Sequence, residues 1–124
     1  MAPYQLYWRA GSGSMVAEAA LRMTGADYAL VEVPTKAEQR EPKFRAINPA
    51  GKIPVLIMPE GQIIFESMAI LMALDERHKN TGLLPAYASQ TRATTLQWLA
   101  FMAASTYPAA LRFRSEERRV GKEC

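Results

Sequence analysis

The chain has 124 residues, 49% apolar and 22% charged, with a formal net charge of +3, the profile of a globular domain with a real core. Scattered basic residues argue against a nucleic-acid footprint, and no run approaches the ~18 apolar residues of a membrane span. Cys124 is the only cysteine and His78 the only histidine, which excludes a disulfide, a CxxC pair, the usual zinc sites and a serine–histidine triad.

From Met1 the chain runs straight into an amphipathic strand with no signal-type leader pattern, so the expected compartment is the cytoplasm. Residues 4–8 (YQLYW) read as strand one, rich in aromatic side chains. A small polar loop, Arg9-Ala10-Gly11-Ser12-Gly13-Ser14, leads into a helix over 15–24. Ser14 is its expected N-cap, Val16, Ala19, Ala20 and Met23 its expected inner face, and Gly25 its stop. Strand two is expected over 28–33, a charged surface loop over 34–42, and a short helix over 43–47 that Asn48-Pro49 ends.

The stretch NPAGKIPVLIMPEGQIIFES, residues 48–67, organises the rest. A turn at 48–51 enters an apolar strand over 53–58, Pro59-Glu60-Gly61 reverses the chain, residues 62–65 return it, and Glu66-Ser67 opens a helix to His78. Pro54 heads a β-branched run where a strand wants an N–H donor. A cis Ile53-Pro54 bond, found in about 5–6% of X-Pro bonds, would turn the Ile53 N–H and C=O outward, toward an extended peptide-like ligand. A trans proline on an edge strand is the alternative.

The helix over 67–78 is apolar on every side between Met68 and Leu74, so the sheet and something further must cover it. His78 closes it as a surface cap, where a cation suits the helix dipole. Residues 79–88 form a linker carrying Leu83-Leu84-Pro85. Ser89 caps a further helix, about 90–106, which Pro108 should break or kink. The methionines at 68, 72 and 102 read as packing residues. Element order βαβαββα followed by one helix describes a compact α/β domain over 1–78 and a helical segment over 89–113. Residues 114–124, RSEERRVGKEC, change composition abruptly and resemble a translated sequencing adapter. They are set aside from fold reasoning as a non-native tail.

NPAGKIPVL, the Phe65-Glu66-Ser67 step at the head of an apolar helix, and the Leu83-Leu84-Pro85 linker together resemble the glutathione S-transferase family. Residues 4–78 match its thioredoxin-like N-terminal domain, and the Trp98 region matches the first helix of its helical domain, here truncated. The resemblance implies a fold and a chemistry. Glutathione would serve as co-substrate, with no other cofactor and no metal, and a small electrophile would be the second substrate. Ile53, freed by Pro54, would pair with the cysteinyl unit as a short strand addition. Glu66 would meet the γ-glutamyl ammonium, Ser67 at the helix start its carboxylate, and Lys52 the glycyl carboxylate. Plain capping of the helix by Ser67 is the bland alternative.

Catalysis in this family ionises the glutathione thiol with a hydroxyl donor in the loop after strand one. Gly13 stands where cysteine-type members carry their cysteine, and Gly11 where serine-type members carry their serine. Ser14 is the first candidate donor and Ser12 the second, unless both only shape the loop. Tyr7 is a weaker rival for that role, since it lies inside strand one and reads as core. A dithiol oxidoreductase is excluded for want of cysteine. The expected protein is a glutathione transferase, homodimeric when full length, binding neither nucleic acid nor membrane. A non-catalytic, transferase-like binding or dimerisation module is the alternative.

Overall fold

The computed structural model describes residues 2–114, so all but the first residue of the adapter-like stretch 114–124 lies outside the described residues. The chain divides into two compact units, Met1–Leu84 and Pro85–Cys124, and the division falls inside the expected linker.

The first unit is a four-stranded sheet with helices on both faces. Its strands are β1 (Tyr4–Trp8), β2 (Tyr28–Glu32), β3 (Val55–Ile57) and β4 (Ile63–Phe65), in the order β2-β1-β3-β4. Helix α1 (Ser14–Thr24) is the crossover that lets β2 run parallel to β1. β3 runs antiparallel to β1 and to β4, so β4 points the same way as β1. Side chains alternate between the faces. Leu6 and its partner Leu56 are fully buried, on the face opposite Tyr7 and Val55. α1 packs against α4 (Ser67–Arg77), and the two contribute Ala17, Ala20, Leu21, Ile70, Leu71 and Leu74 to the core. A second, smaller core joins Val33, Phe44 and Val55 with Tyr7, Ile47 and Ile53. Tyr7 is therefore a packing residue, edge-on to Phe44 at 6.0 Å between ring centres.

Two expectations about α1 are corrected. Ser14 is not the N-cap: Gly13 holds that position without a side-chain cap, and Ser14 is the first helical residue. The inner face is Ser14, Ala17, Ala20 and Leu21, not Val16, Ala19, Ala20 and Met23. Met15 and Met23 are 69% and 62% exposed. Small residues let the helix sit close over the sheet, so alanine and serine outrank larger apolar side chains for the buried positions.

The expected loop over 34–42 contains one helical turn, α2 (Lys36–Gln39), whose N-cap Thr35 accepts a hydrogen bond from the Glu38 N–H at 3.2 Å. The Thr-x-x-Glu spacing is a capping signature. Its neighbour α3 (Pro42–Arg45) starts at the proline, which suits a first-turn position. Of the two alternatives for Pro54, the cis bond is the one present. β3 starts only at Val55, and the reversal closes through Gly61 N–H to Met58 O at 2.8 Å.

His78 is the C-cap of α4, but it is not simply a solvated cap. Its Nε2 shares a hydrogen bond with the buried Tyr4 hydroxyl at 2.9 Å. Next to it, Arg77 forks onto the Glu60 carboxylate, with Nη1 donating to Oε2 at 2.8 Å, and so ties the β3–β4 turn to the end of α4.

The second unit begins with an anchor that the sequence reading did not include. Arg92 is buried, donates to Pro85 O at 2.8 Å and lies over the Tyr87 ring at 4.3 Å. Ser89 caps α5 (Gln90–Phe101) as expected, accepting from Arg92 N–H at 3.0 Å. Pro108 does not end the helix. A π turn over Met102–Thr106 precedes it, the Tyr107 N–H bonds to Met102 O, and residues 107–114 continue helical. Widening the turn moves the upstream carbonyl that a proline ring would otherwise strike.

Burial raises the pKa of Tyr4 above 10.0, and the positive charge of Arg77 opposes the shift. The folded state therefore keeps this proton longer than the unfolded chain does, so stability falls as pH rises through the ordinary tyrosine value. Tyr4→Phe should cost about 1 kcal/mol at neutral pH through the lost His78 bond. That deficit should shrink between about pH 9 and pH 11. Urea midpoints across this window check it, and a pH-independent difference would contradict it.

Candidate functional site

Strand register sets the site. Tyr7, Val55 and Phe65 lie in one row across β1, β3 and β4. β1 ends one residue past this row, β4 ends at it and β3 begins at it, so three segments meet at one end of the sheet. These are the loop 9–14, the stretch 48–54, and Glu66-Ser67 at the head of α4. The topology thus brings together every site residue expected from sequence: Ser12, Ser14, Lys52, Ile53, Pro54, Glu66 and Ser67.

The serine loop is built around the main chain of one residue, Arg9. The Ser12 hydroxyl donates to Arg9 O at 2.7 Å and lies 2.7 Å from the Ser14 hydroxyl. Ser14 Oγ also contacts Arg9 O and accepts the Arg9 N–H, both at 3.2 Å. Ser14 is 1% exposed, whereas Ser12 is partly open to solvent. Two hydroxyl protons serve this cluster, and each oxygen can also accept. Ser14 can therefore donate to Ser12 while Ser12 donates outward.

The second segment is pinned by Asn48, which is 2% exposed. Its Nδ2 donates to Lys52 O at 2.8 Å and its Oδ1 accepts from Ala50 N–H at 3.0 Å. The Lys52 side chain is exposed, Ile53 is half-buried and Pro54 is buried. Because the ladder starts at Val55, the backbone N–H and C=O of Ile53 lie outside it. Gln39 braces the same segment from α2, with Nε2 donating to Gly51 O at 3.2 Å and Oε1 accepting from Arg9 Nη1.

At the third segment, Glu66 rather than Ser67 is the N-cap of α4, and its side chain makes no capping bond. Ser67 is the first helical residue. Glu66 has φ +75°, a backbone conformation that non-glycine residues rarely adopt. Such strain tends to persist where a site needs it. The positive end of α4 favours a negative group here.

Arg9, Gln39 and Asn48 are the residues that sequence reasoning missed. Asn48 was legible in principle, as an asparagine heading a turn. Nothing local marks Arg9 or Gln39. A shallow cavity of about 230 Å³ also lies beside the smaller core, lined by Tyr7, Val33, Glu38, Lys43, Phe44 and Ile47 among others. It holds none of the expected site residues. Among the described residues no three His, Cys, Asp or Glu side chains are grouped to hold a metal ion. No helix among them is long and apolar enough to cross a membrane.

Residues 2–76 match the family described as glutathione S-transferase, N-terminal domain. Over 101 residues the chain is 30% identical to glutathione S-transferase GstA of Escherichia coli O157:H7, covering 80% of this chain and 50% of that one. It is 39% identical over 79 residues to a probable maleylacetoacetate isomerase of Caenorhabditis elegans, covering 64% and 36%. The fold matches the crystal structure of a glutathione transferase homologue from Sulfitobacter with bound glutathione. There the TM-score is 0.82 at 28% identity, over 89% of this chain and 53% of that one. The chain spans about half the length, or less, of the relatives it matches.

Gly51 and Gly25 separate backbone strain from contact. Their φ values are +63° and +69°, but a Cβ on Gly51 would lie 3.0 Å from the Gln39 carbonyl oxygen, whereas one on Gly25 meets nothing within 4 Å. Gly25→Ala should cost roughly 1–2 kcal/mol through backbone conformation. Gly51→Ala should cost that plus roughly 1 kcal/mol or more, as overpacking does. Denaturant midpoints test this, and equal losses would remove the close approach of α2 to this loop.

Proposed function

The chain belongs to the glutathione S-transferase family through its N-terminal domain, and from that premise we propose that it binds glutathione at the end of the sheet where the three segments converge. The observation that carries this is the row Tyr7–Val55–Phe65, which sets the serine loop, the Ile53 backbone and the α4 start side by side. Glutathione is an extended, anionic tripeptide. Its cysteinyl unit pairs with Ile53 N–H and C=O, as an added strand does. Its γ-glutamyl ammonium meets Glu66, and its γ-glutamyl carboxylate meets the Ser67 hydroxyl and the first-turn N–H groups of α4. Lys52 faces the glycyl carboxylate.

For the reaction, the thiol loses its proton to solvent, and the resulting thiolate uses its lone pair to bond to carbon of an electrophile, which either releases a leaving group with its bonding pair or passes the π pair of a multiple bond to the adjoining atom, where water supplies a proton. A hydroxyl donating to sulfur, helped by the start of α1, stabilises the thiolate and lowers its pKa. Burial supports Ser12 as the hydroxyl that meets sulfur. Ser14 then lies behind it and donates to the Ser12 oxygen. Glutathione is a co-substrate here, not a resident cofactor, and the electrophile is small. A chain without a disulfide pair that works on a reduced thiol suits the cytoplasm. The full-length protein is read as a homodimer. Exposed Ile63 and Phe65 on the edge strand β4, and half-buried Met68 and Met72 on α4, support that. No nucleic-acid or membrane partner is proposed.

A second reading is a non-catalytic binding module. It is favoured by the Ser12 and Ser14 hydroxyls both being within hydrogen-bond reach of Arg9 O. One titration separates the two. Calorimetry of the full-length protein should detect glutathione below about millimolar concentration, the usual upper range for substrates. Ser12→Ala should raise the bound thiol pKa by about one unit and lower kcat/KM about a hundredfold. Binding with an ordinary thiol pKa, unchanged by Ser12→Ala, would favour the non-catalytic module.

Glu66→Gly supplies an independent check. Glycine relaxes the φ of +75°, so stability should rise by about 1 kcal/mol. Glutathione affinity should fall about tenfold with the lost carboxylate. Unchanged affinity would remove Glu66 from the site.

A further inference from the structure

β2 is an edge strand, paired with β1 alone. Beside it, α2 and α3 are four residues long and present few side chains to the sheet. They cover the smaller core incompletely and leave the cavity of about 230 Å³. Val31 and Val33 line it from the β2 segment, and Phe44 and Ile47 from α3 and the residues after it. Tyr7 adds a second aromatic ring, edge-on to that of Phe44.

The same lining carries charge. Glu32, Glu38 and Glu41 bring three carboxylates, and Lys43 brings one ammonium. None of the four has an ion-pair partner among the described residues. Glu38 is half-buried and the other three are exposed. The surplus is negative, although the chain as a whole carries a net charge of +3. Each part of this lining suits a cation on an apolar body. Aromatic rings attract a cation through their quadrupole, and unpaired carboxylates attract it more strongly where the walls exclude water. The valine and isoleucine side chains take the apolar remainder. An anion would meet the opposite sign on both counts. The volume equals roughly eight waters at about 30 Å³ each, so the occupant is small.

We propose that this cavity binds a small organic cation, an ammonium group carried on a compact aromatic or branched apolar body. None of the expected glutathione contacts lines it, so it is a second site. The inference stands whether or not the sheet end binds glutathione.

The test titrates phenethylamine, a cation at neutral pH, into the full-length protein with isotope-labelled valine and isoleucine methyl groups. Its neutral and anionic counterparts, 2-phenylethanol and 3-phenylpropanoate, serve as controls. The Val31, Val33 and Ile47 methyl resonances should shift with a Kd near about 1 mM, as befits a ligand of this size. The alcohol should bind several-fold more weakly and the carboxylate at least about tenfold more weakly. Replacing Glu32, Glu38 and Glu41 together by glutamine should weaken the amine about tenfold. Lys43→Gln should act in the opposite direction and strengthen it about twofold. Val31→Trp, which fills the cavity from β2, should abolish the shifts at Val33 and Ile47. Saturating glutathione should leave the amine bound. Equal binding of all three probes would leave only apolar contact and overturn the cation assignment, as would a triple variant matching the parent. Absence of shifts at about ten times the expected Kd, shifts that survive Val31→Trp, or displacement by glutathione would overturn the site itself.

Discussion

Everything at the candidate site hangs from the antiparallel pairing of β1 with β3, because that pairing decides which loops become neighbours. Leu6 opposite Leu56 and Tyr7 opposite Val55 put one member of each strand into each of the two cores. A slip of one residue would exchange the faces and expose both sets, so the register is strongly specified. With β3 held antiparallel, its beginning lies beside the end of β1, and β4 returns the chain to the same place. Three segments far apart in sequence thereby share one sheet end.

The opposite end is closed by different means. Tyr4 opens β1 there and meets His78, while Arg77 holds Glu60 in the β3–β4 turn. These contacts join the last turn of α4 to the sheet and leave the functional end to loops. The division of labour is physical. Buried aromatic and charge-assisted contacts fasten the closed end, whereas loop backbone groups outside the ladder stay available to pair with a ligand. In the second unit, buried Arg92 anchors the start of α5, and the Trp98 and Phe101 rings meet edge-on at 5.6 Å while each stays largely exposed. A helix of this kind, with its aromatic side chains in solvent, buries little apolar surface of its own.

Buried polar side chains at the functional end are matched atom by atom. Ser14, Gln39 and Asn48 each lie within the core and each is satisfied by a backbone group of a neighbouring loop. Leaving any of these unpaired would cost more than the bond itself contributes. They specify loop shape for that reason, as apolar packing alone would not.

Much of this was legible in the chain. Aromatic and β-branched apolar runs marked strands, Gly25 marked the stop of α1, Pro59 and Gly61 marked the reversal, and Ser89 marked the start of α5. Pro54 at the head of an apolar run marked the unusual peptide bond, and the local string NPAGKIPVL with Glu66-Ser67 carried the family resemblance. All of these are local rules, written in neighbouring residues. The turn α2 was equally local, in Thr35 and Glu38, but the charged composition around it masked the signal.

Tertiary structure decided the rest. Which face of α1 turns inward depends on how closely a helix can approach a sheet, so Ser14 went in and Met15 and Met23 stayed out. His78 gained Tyr4 as a partner across the whole domain, and Pro108 stayed within a helix because a π turn made room for it. The link from Arg9 through Gln39 to Gly51 joins positions 30 and 12 residues apart, with no spacing rule to announce it. Local sequence determines secondary structure and turn chemistry because those energies act between near neighbours. Hydrogen bonds between distant side chains exist only once the sheet has brought their loops together.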